Sequence, residues 1–234
     1  MNQYKNRLTR RIYRSKDIES IQEKLNMLGS NRRMDAITFL NIRLVTSIII
    51  FIFTLYKSDF SYIVAPIITV SYYYSFYYLL ITEPLKRRTK KLDKEELFFF
   101  EILTLTLESG HNLENALQTT TKNVDSEISK EFEKTLFETQ FGKSLVESLQ
   151  DMKKRIPSET INNIILSITQ TNVFGNSIVD TMYGQIDFLR DKQILEIRET
   201  IAKIPYKISM VSVVFIVPLI LMLILGPLFI SFLG

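Results

Sequence analysis

The 234-residue chain has no cysteine and no tryptophan, and it has a single histidine. The missing cysteines exclude disulfides, thiolate nucleophiles and cysteine metal sites together. One histidine rules out a histidine-rich metal site. Charge is missing from two long stretches, Phe60 to Thr82 and Ile208 to Gly234. Each exceeds the roughly 20 apolar residues that a membrane-spanning helix needs. No Asp, Glu, Lys, Arg or His lies inside either stretch, which argues against a pump or an ion-coupled transporter. A phosphate-cradling Gly-x-x-x-x-Gly-Lys loop is lacking too, so ATP hydrolysis by that route is excluded.

What is present is an all-α integral membrane protein with a large insert between spans. Its charged fraction of 23% is ordinary, so the chain is not mostly disordered. From Ile208 to Ile230 there are 16 Leu, Ile, Val or Phe residues, enough for favourable insertion. Pro218 and Pro227 are expected to kink this last span, which neighbouring polar groups make tolerable. The first apolar stretch is shorter: 13 residues, Leu44 to Tyr56, lie between Arg43 and Lys57. Extending it back to Phe39 restores the length but admits Arg43. An arginine costs roughly 2.5–3.5 kcal/mol at the bilayer centre and far less at the edge, where it snorkels. Arg43 is therefore placed at the inner headgroups and Lys57 at the outer ones. Spans over 39–57 and 60–82 then form a hairpin with its tip at Lys57-Ser58-Asp59.

Basic residues set the orientation. Ten Lys/Arg precede Leu44, one sits at the hairpin tip, eighteen lie in Glu83 to Lys207, and none follows. The positive-inside rule then predicts a cytoplasmic amino terminus and insert and an external carboxyl terminus. No small-x-small cleavage site follows the basic leader, so no cleaved signal peptide is expected. Tyr72, Tyr73, Tyr74, Tyr77 and Tyr78 are read as an interfacial aromatic belt. The run Lys86, Arg87, Arg88, Lys90 and Lys91 is read as a topology determinant facing anionic lipid. No stacking aromatics interleave it and the insert is net acidic, so nucleic acid is excluded as a partner.

Within the insert, residues 92–203 contain one proline, Pro157, and no strand pattern. Asp93 with Glu96 three residues later predicts a capping box opening a helix over 93–109. That segment is apolar nearly all round, through Leu97-Phe98-Phe99-Phe100, Ile102, Leu103, Leu105 and Leu107, which predicts deep burial. Three segments then resemble one another: Gly110-His111-Asn112-Leu113, Gly142-Lys143-Ser144-Leu145 and Gly175-Asn176-Ser177-Ile178. In each, glycine closes one helix, Asn112, Ser144 or Ser177 caps the next, and apolar residues follow at cap+1 and cap+5. Ala116, Ser148 and Thr181, small residues at cap+4, permit close approach. The recurrence predicts stacked helical hairpins, six helices over 93–109, 113–123, 125–140, 145–155, 159–173 and 178–203. Glu101 and Glu108, or Glu127, Glu131 and Glu138, fall at helical spacing and are read as a solvated face. His111 is read as an incidental turn residue. No enzyme activity, cofactor or metal is expected.

Ahead of the hairpin, Ile18, Ile21, Leu25 and Leu28 form an amphipathic stripe ended by Gly29, which either lies on the bilayer or docks on the bundle. The expected organisation is a basic leader over 1–35, a transmembrane hairpin over 36–83, a helical domain over 84–206 and a third span over 207–234.

The glycine–serine turns and this architecture resemble the type II secretion system F family, the membrane platform proteins of type II secretion and type IV pilus machines. The resemblance runs from about Leu97 to the end. The junction Lys203-Ile204-Pro205-Tyr206-Lys207, followed by Pro218 and Gly226-Pro227, is most similar to the C-type platform protein of tight-adherence (Tad) pili. The leader segment Gln22 to Gly29 is similar to the short motif before the first span in those proteins. Many members carry glutamate three residues before the third-turn glycine, where this chain has Asn172. The resemblance implies a cell-membrane platform that couples a cytoplasmic secretion ATPase to the assembly of pilin or pseudopilin subunits. It also implies an oligomer that works with a second platform protein of the family. Two other readings remain open at this point: a membrane-anchored helical-repeat adaptor of tetratricopeptide type, and an integral membrane enzyme or transporter.

Overall fold

The computed structural model describes residues 15–29, 34–57, 61–174 and 177–233. Among them all regular structure is helical and no strand occurs. The hairpin tip at Ser58-Asp59 and the third-turn Gly175 lie outside the described residues. The leader forms α1 (Ser15–Asn26), and the hairpin forms α2 (Ala36–Lys57) and α3 (Ser61–Tyr77). A π-helical segment, Tyr78–Thr82, joins α3 to α4 (Glu83–Glu108). Then come α5 (Leu113–Asn123), α6 (Glu127–Gln140), α7 (Leu145–Lys153), α8 (Glu159–Phe174) and α9 (Ile178–Leu233). Among the described residues three helical stretches are long and apolar enough to cross a membrane, beginning at Ala36, Ile63 and Ile178.

Two helix boundaries differ most from expectation: the sixth bundle helix does not end at 203 but continues through Pro205 to Leu233, and the first bundle helix starts early. The helix does not begin at Asp93; it runs unbroken from Ile63 to Glu108, so the second span and the first bundle helix are one rod. Between Thr82 and Asp93 only Pro84 disfavours a helix, and it falls just after the π-helical segment, where the ladder is already irregular. Asp93 is taken up by tertiary structure instead, accepting a hydrogen bond from Ser158 Oγ at 2.7 Å.

Helix α4 is not buried all round either. Phe99, Phe100, Leu103 and Leu107 are buried, while Phe98 is 58% and Leu105 59% exposed. The two faces separate because helices α5, α6 and α8 cover one side of α4 only. Phe99 stacks on Phe132 of α6 at 4.9 Å between ring centroids, and Phe100 meets Phe99 edge-on at 5.4 Å. Around this aromatic centre Leu117, Ile128, Leu149, Met152, Ile161, Ile164 and Ile165 complete the core.

The chain divides into two compact units, Met1–Tyr183 and Gly184–Gly234. The second is the greater part of α9, whose backbone stays helical through Pro205, Pro218 and Pro227.

Candidate functional site

Nothing among the described residues clusters three or more His, Asp or Glu side chains in a way that would hold a metal ion. The features that set the protein apart are its capped turns and a buried ion-pair hub.

At the turns, Gly110 and Gly142 adopt φ +89° and +92°. Their amides donate to Leu107 and Thr139 carbonyls at 3.0 Å, closing α4 and α6. Asn112 accepts from the Asn115 amide at 2.8 Å, opening α5. Ser144 and Glu147 cap each other reciprocally at 3.2 and 3.3 Å, opening α7. Ser177 accepts from the Asp180 amide at 3.3 Å and opens α9. Ala116 and Ser148, at cap+4, are fully buried, as are Leu117, Leu149 and Met182 at cap+5. Across the second turn Asp151 accepts from both Lys143 and Lys154 at 2.7 Å. Those two hydrogen bonds, Lys143 first, hold its carboxyl down to about 2.

A Cβ added at Gly142 would meet no atom within 4 Å, so backbone strain alone decides the cost of substitution. Gly142→Val is expected to lower stability by about 1–2 kcal/mol, the penalty of forcing an L-residue into left-handed geometry. Thermal unfolding of the detergent-solubilised chain, followed by helical circular dichroism, checks this. An unchanged midpoint would show that the turn is not held left-handed.

The hub centres on Arg88, 8% exposed and therefore turned inward. Its Nη2 donates to Glu131 Oε1 at 2.5 Å, and its Nε to Glu127 Oε1 at 3.3 Å. Its Nη1 donates to two backbone carbonyls, Met27 at 2.5 Å and Arg155 at 2.9 Å. Arg155 completes the arrangement by donating to Glu131 Oε2 at 3.3 Å, Glu138 Oε1 at 3.0 Å and Thr135 Oγ1 at 3.2 Å. Glu131 thus bridges two arginines, and four elements meet: the end of the leader, α4, α6 and the turn after α7. Glu95 adds a tie by accepting from the Glu127 amide at 2.7 Å, an N-terminal cap supplied by another helix.

These contacts correct two expectations. Glu127, Glu131 and Glu138 are not a solvated face; they neutralise Arg88 and Arg155. Arg88 likewise does not face lipid, because burying a guanidinium requires paired carboxylates and α6 supplies them. The rest of the basic run points elsewhere. Arg87 pairs with Glu83 at 2.9 Å, and Lys91 lies 3.9 Å from both Glu95 and Glu127. Lys86 sits over the Tyr78 ring at 5.6 Å, and Lys90 is exposed. A periodic signal for the hub did exist, since Glu127, Glu131 and Glu138 share one face of α6 with buried Thr135.

The leader docks rather than floating. Ile21 and Leu25 are buried with Ala36, Phe39, Leu40 and Ile81, so α1 packs on the ends of the hairpin helices. Gln22 Oε1 accepts from the Ala36 amide at 2.9 Å, capping α2. Lys24 Nζ donates to the Tyr77 hydroxyl at 2.9 Å. Arg43 is buried against α3: its guanidinium lies 3.4 Å from the Tyr73 ring centroid and donates to the Tyr73 carbonyl at 3.2 Å. Tyr73 and Tyr77 are thus partly engaged inside the protein, whereas Tyr74 and Tyr78 are exposed.

The model of the family described as "Type II secretion system (T2SS), protein F" matches residues 99–227, more than half of the chain. The chain belongs to this family. Among curated proteins and among solved structures nothing matches. The T2SSF match begins in the aromatic centre of α4 and ends within α9, so it takes in all three capped turns and the acidic side of the hub. The leader, the hairpin and Arg88 lie before it. A secretion or pilus platform of this family, built of helices with three apolar enough to cross a membrane, is what sequence and structure describe together.

Proposed function

We propose that this T2SSF protein is a cell-membrane platform of a Tad-like type IV pilus or of a type II secretion machine. In this reading it has no catalysis of its own. Its bundle receives motion from a cytoplasmic secretion ATPase, works beside a second platform protein, and helps move pilin or pseudopilin subunits from the membrane into a fibre. The observation that carries the reading is α9: one helix, Ile178–Leu233, holds the Ser177-capped turn at its start and the third apolar stretch at its end. A helical path carries torque or tilt better than a coil, and the backbone of α9 stays helical through its three prolines.

The charge distribution supports a cytoplasmic amino terminus and insert with an external carboxyl terminus. Cysteines introduced by Ser58→Cys and Ser231→Cys are expected to react with an impermeant maleimide from outside. Asp125→Cys, 94% exposed on the insert, is expected to stay unlabelled in intact cells. Labelling at 125 would invert the topology.

A flexible Gly-Ser insertion between Lys203 and Pro205 tests the coupling. Short flexible segments add little closure entropy, so the protein is expected to insert normally and still to retain the ATPase. Fibre or secreted product is expected to be lost entirely. Normal assembly would exclude rigid coupling through α9, and failure of the unmodified protein to bind any secretion ATPase would sink the platform reading itself.

A further inference from the structure

The helix formed by α3 and α4 changes its ladder at the π-helical segment Tyr78–Thr82, where the Glu83 amide bonds back to the Tyr78 carbonyl. Such segments lack the regular ladder of an α-helix and recur at functional places in helices. Helix α1 lies directly across it. On the hairpin side α1 is held by Ile21 and Leu25 against Phe39, Leu40 and Ile81, by Gln22 on Ala36, and by Lys24 on Tyr77. Ile81 belongs to the π segment itself. On the bundle side the leader is tied differently. The Met27 carbonyl accepts from Arg88 two helical turns beyond Ile81, and Gly29, at φ +92°, lies flat against the guanidinium. A Cβ at Gly29 would stand 3.2 Å from Arg88 Cζ. Open space flanks this tie: a cleft of about 650 Å³ between Leu28, Gly29 and α6, and another of about 590 Å³ between Gln22, Asn26, Gly29 and the Lys154–Arg155 turn.

We infer that α1 is a releasable splint across the π joint, locked through Arg88 and Gly29, that holds the bundle at one angle to the hairpin until the lock opens. The asymmetry of the hub makes the lock releasable. When Met27 leaves, Arg88 keeps Glu127, Glu131 and the Arg155 carbonyl, so no unpaired charge is left buried. The group set free is a neutral carbonyl at a helix end beside two open clefts, where water replaces the lost donor. The hairpin side has no such cheap break, because releasing it exposes Ile21, Leu25 and Ile81 together. A two-state element with one weak end is what a hinged coupling needs.

The test uses the full chain in lipid nanodiscs, where the absence of native cysteine permits clean labelling. One nitroxide pair, at Asn26 and Lys154, spans the lock; a second, at Ile42 and Lys94, spans the joint. Pulsed electron–electron distances in the unmodified protein are expected to show one dominant population for each pair. Gly29→Val, which strains the turn and pushes on Arg88 without removing any ion pair, is expected to add a longer-distance population to both. Gly29→Ala sets a single methyl 3.2 Å from Arg88 Cζ and is expected to shift both pairs in the same direction to a smaller extent, so the test survives if Gly29→Val fails to fold. Bridging cysteines at 26 and 154 with a bismaleimide in either variant is expected to restore the single population across the joint. Unchanged distances in both variants would overturn the lock. A loosened leader with an unchanged joint would overturn the splint. Neither readout depends on the ATPase, so the inference fails or stands separately from the platform reading.

Discussion

Glu131→Ala is expected to destabilise the bundle by about 3–5 kcal/mol, the range for removing one partner of a buried ion pair. Glu131 is 6% exposed, and its two oxygens serve Arg88 and Arg155 separately. Deleting the carboxylate leaves two guanidinium groups facing each other with only Glu127 and Glu138 at their outer edges. Arg88 is 8% exposed, so water from the neighbouring clefts relieves the repulsion and the lost hydrogen bonds only in part. Glu131→Gln keeps an acceptor but loses the charge, and is expected to cost less than alanine yet remain clearly destabilising. Replacing Arg88, Glu131 and Arg155 together by apolar residues of similar volume is expected to be near neutral for stability, since desolvation of the triad cancels much of its attraction. Thermal or denaturant unfolding of the solubilised chain measures all three. If Glu131→Ala left the midpoint unmoved, the two arginines would have to be solvated and the hub would be wrong.

Phe99→Ala should cost about 3–5 kcal/mol, while the adjacent Phe98→Ala should stay within about 0.5 kcal/mol. Phe99 is fully buried between Phe100 and Phe132, stacked on the latter at 4.9 Å. Its loss opens a cavity in a layer that three helices share and forfeits the ring–ring contact, which adds about 0.5–1.5 kcal/mol beyond area. Phe98 points away from that layer. The contrast is read by comparing unfolding midpoints of the two variants under identical conditions. Equal effects would mean that Phe98 is covered in the assembled protein, which would itself mark the exposed face of α4 as an interface.

Much of the fold was readable from local signals, and the reason is physical. Spans follow from unbroken apolar length, because each residue contributes independently to leaving water. Helices α5 to α8 follow from caps and turns, because Asn112, Ser144 and Gly142 act on amides and carbonyls within four residues of themselves. The Asp93–Glu96 pattern failed for the complementary reason. A capping box only offers hydrogen bonds to a helix end, and with no breaker ahead of it the rod from span two runs straight through.

The sequence by itself determined that this is an all-helical membrane protein, where its apolar runs lie, and where chain reversals occur, since those depend on neighbours in the chain. Only the tertiary structure decided what the charges do. The partners of Arg88 lie 39, 43, 61 and 67 residues away. Helical spacing puts Arg88 in line with buried Leu92, Glu96, Phe99 and Leu103 of α4, unlike Arg87 and Lys90 at the surface, but it does not say which carboxylates meet it there. The tertiary structure also decided that Phe98 faces outward beside buried Phe99, and that α1 docks across the π joint. Each of these is set by which helix arrives at a given face, a contact between distant segments whose closure no local pattern encodes.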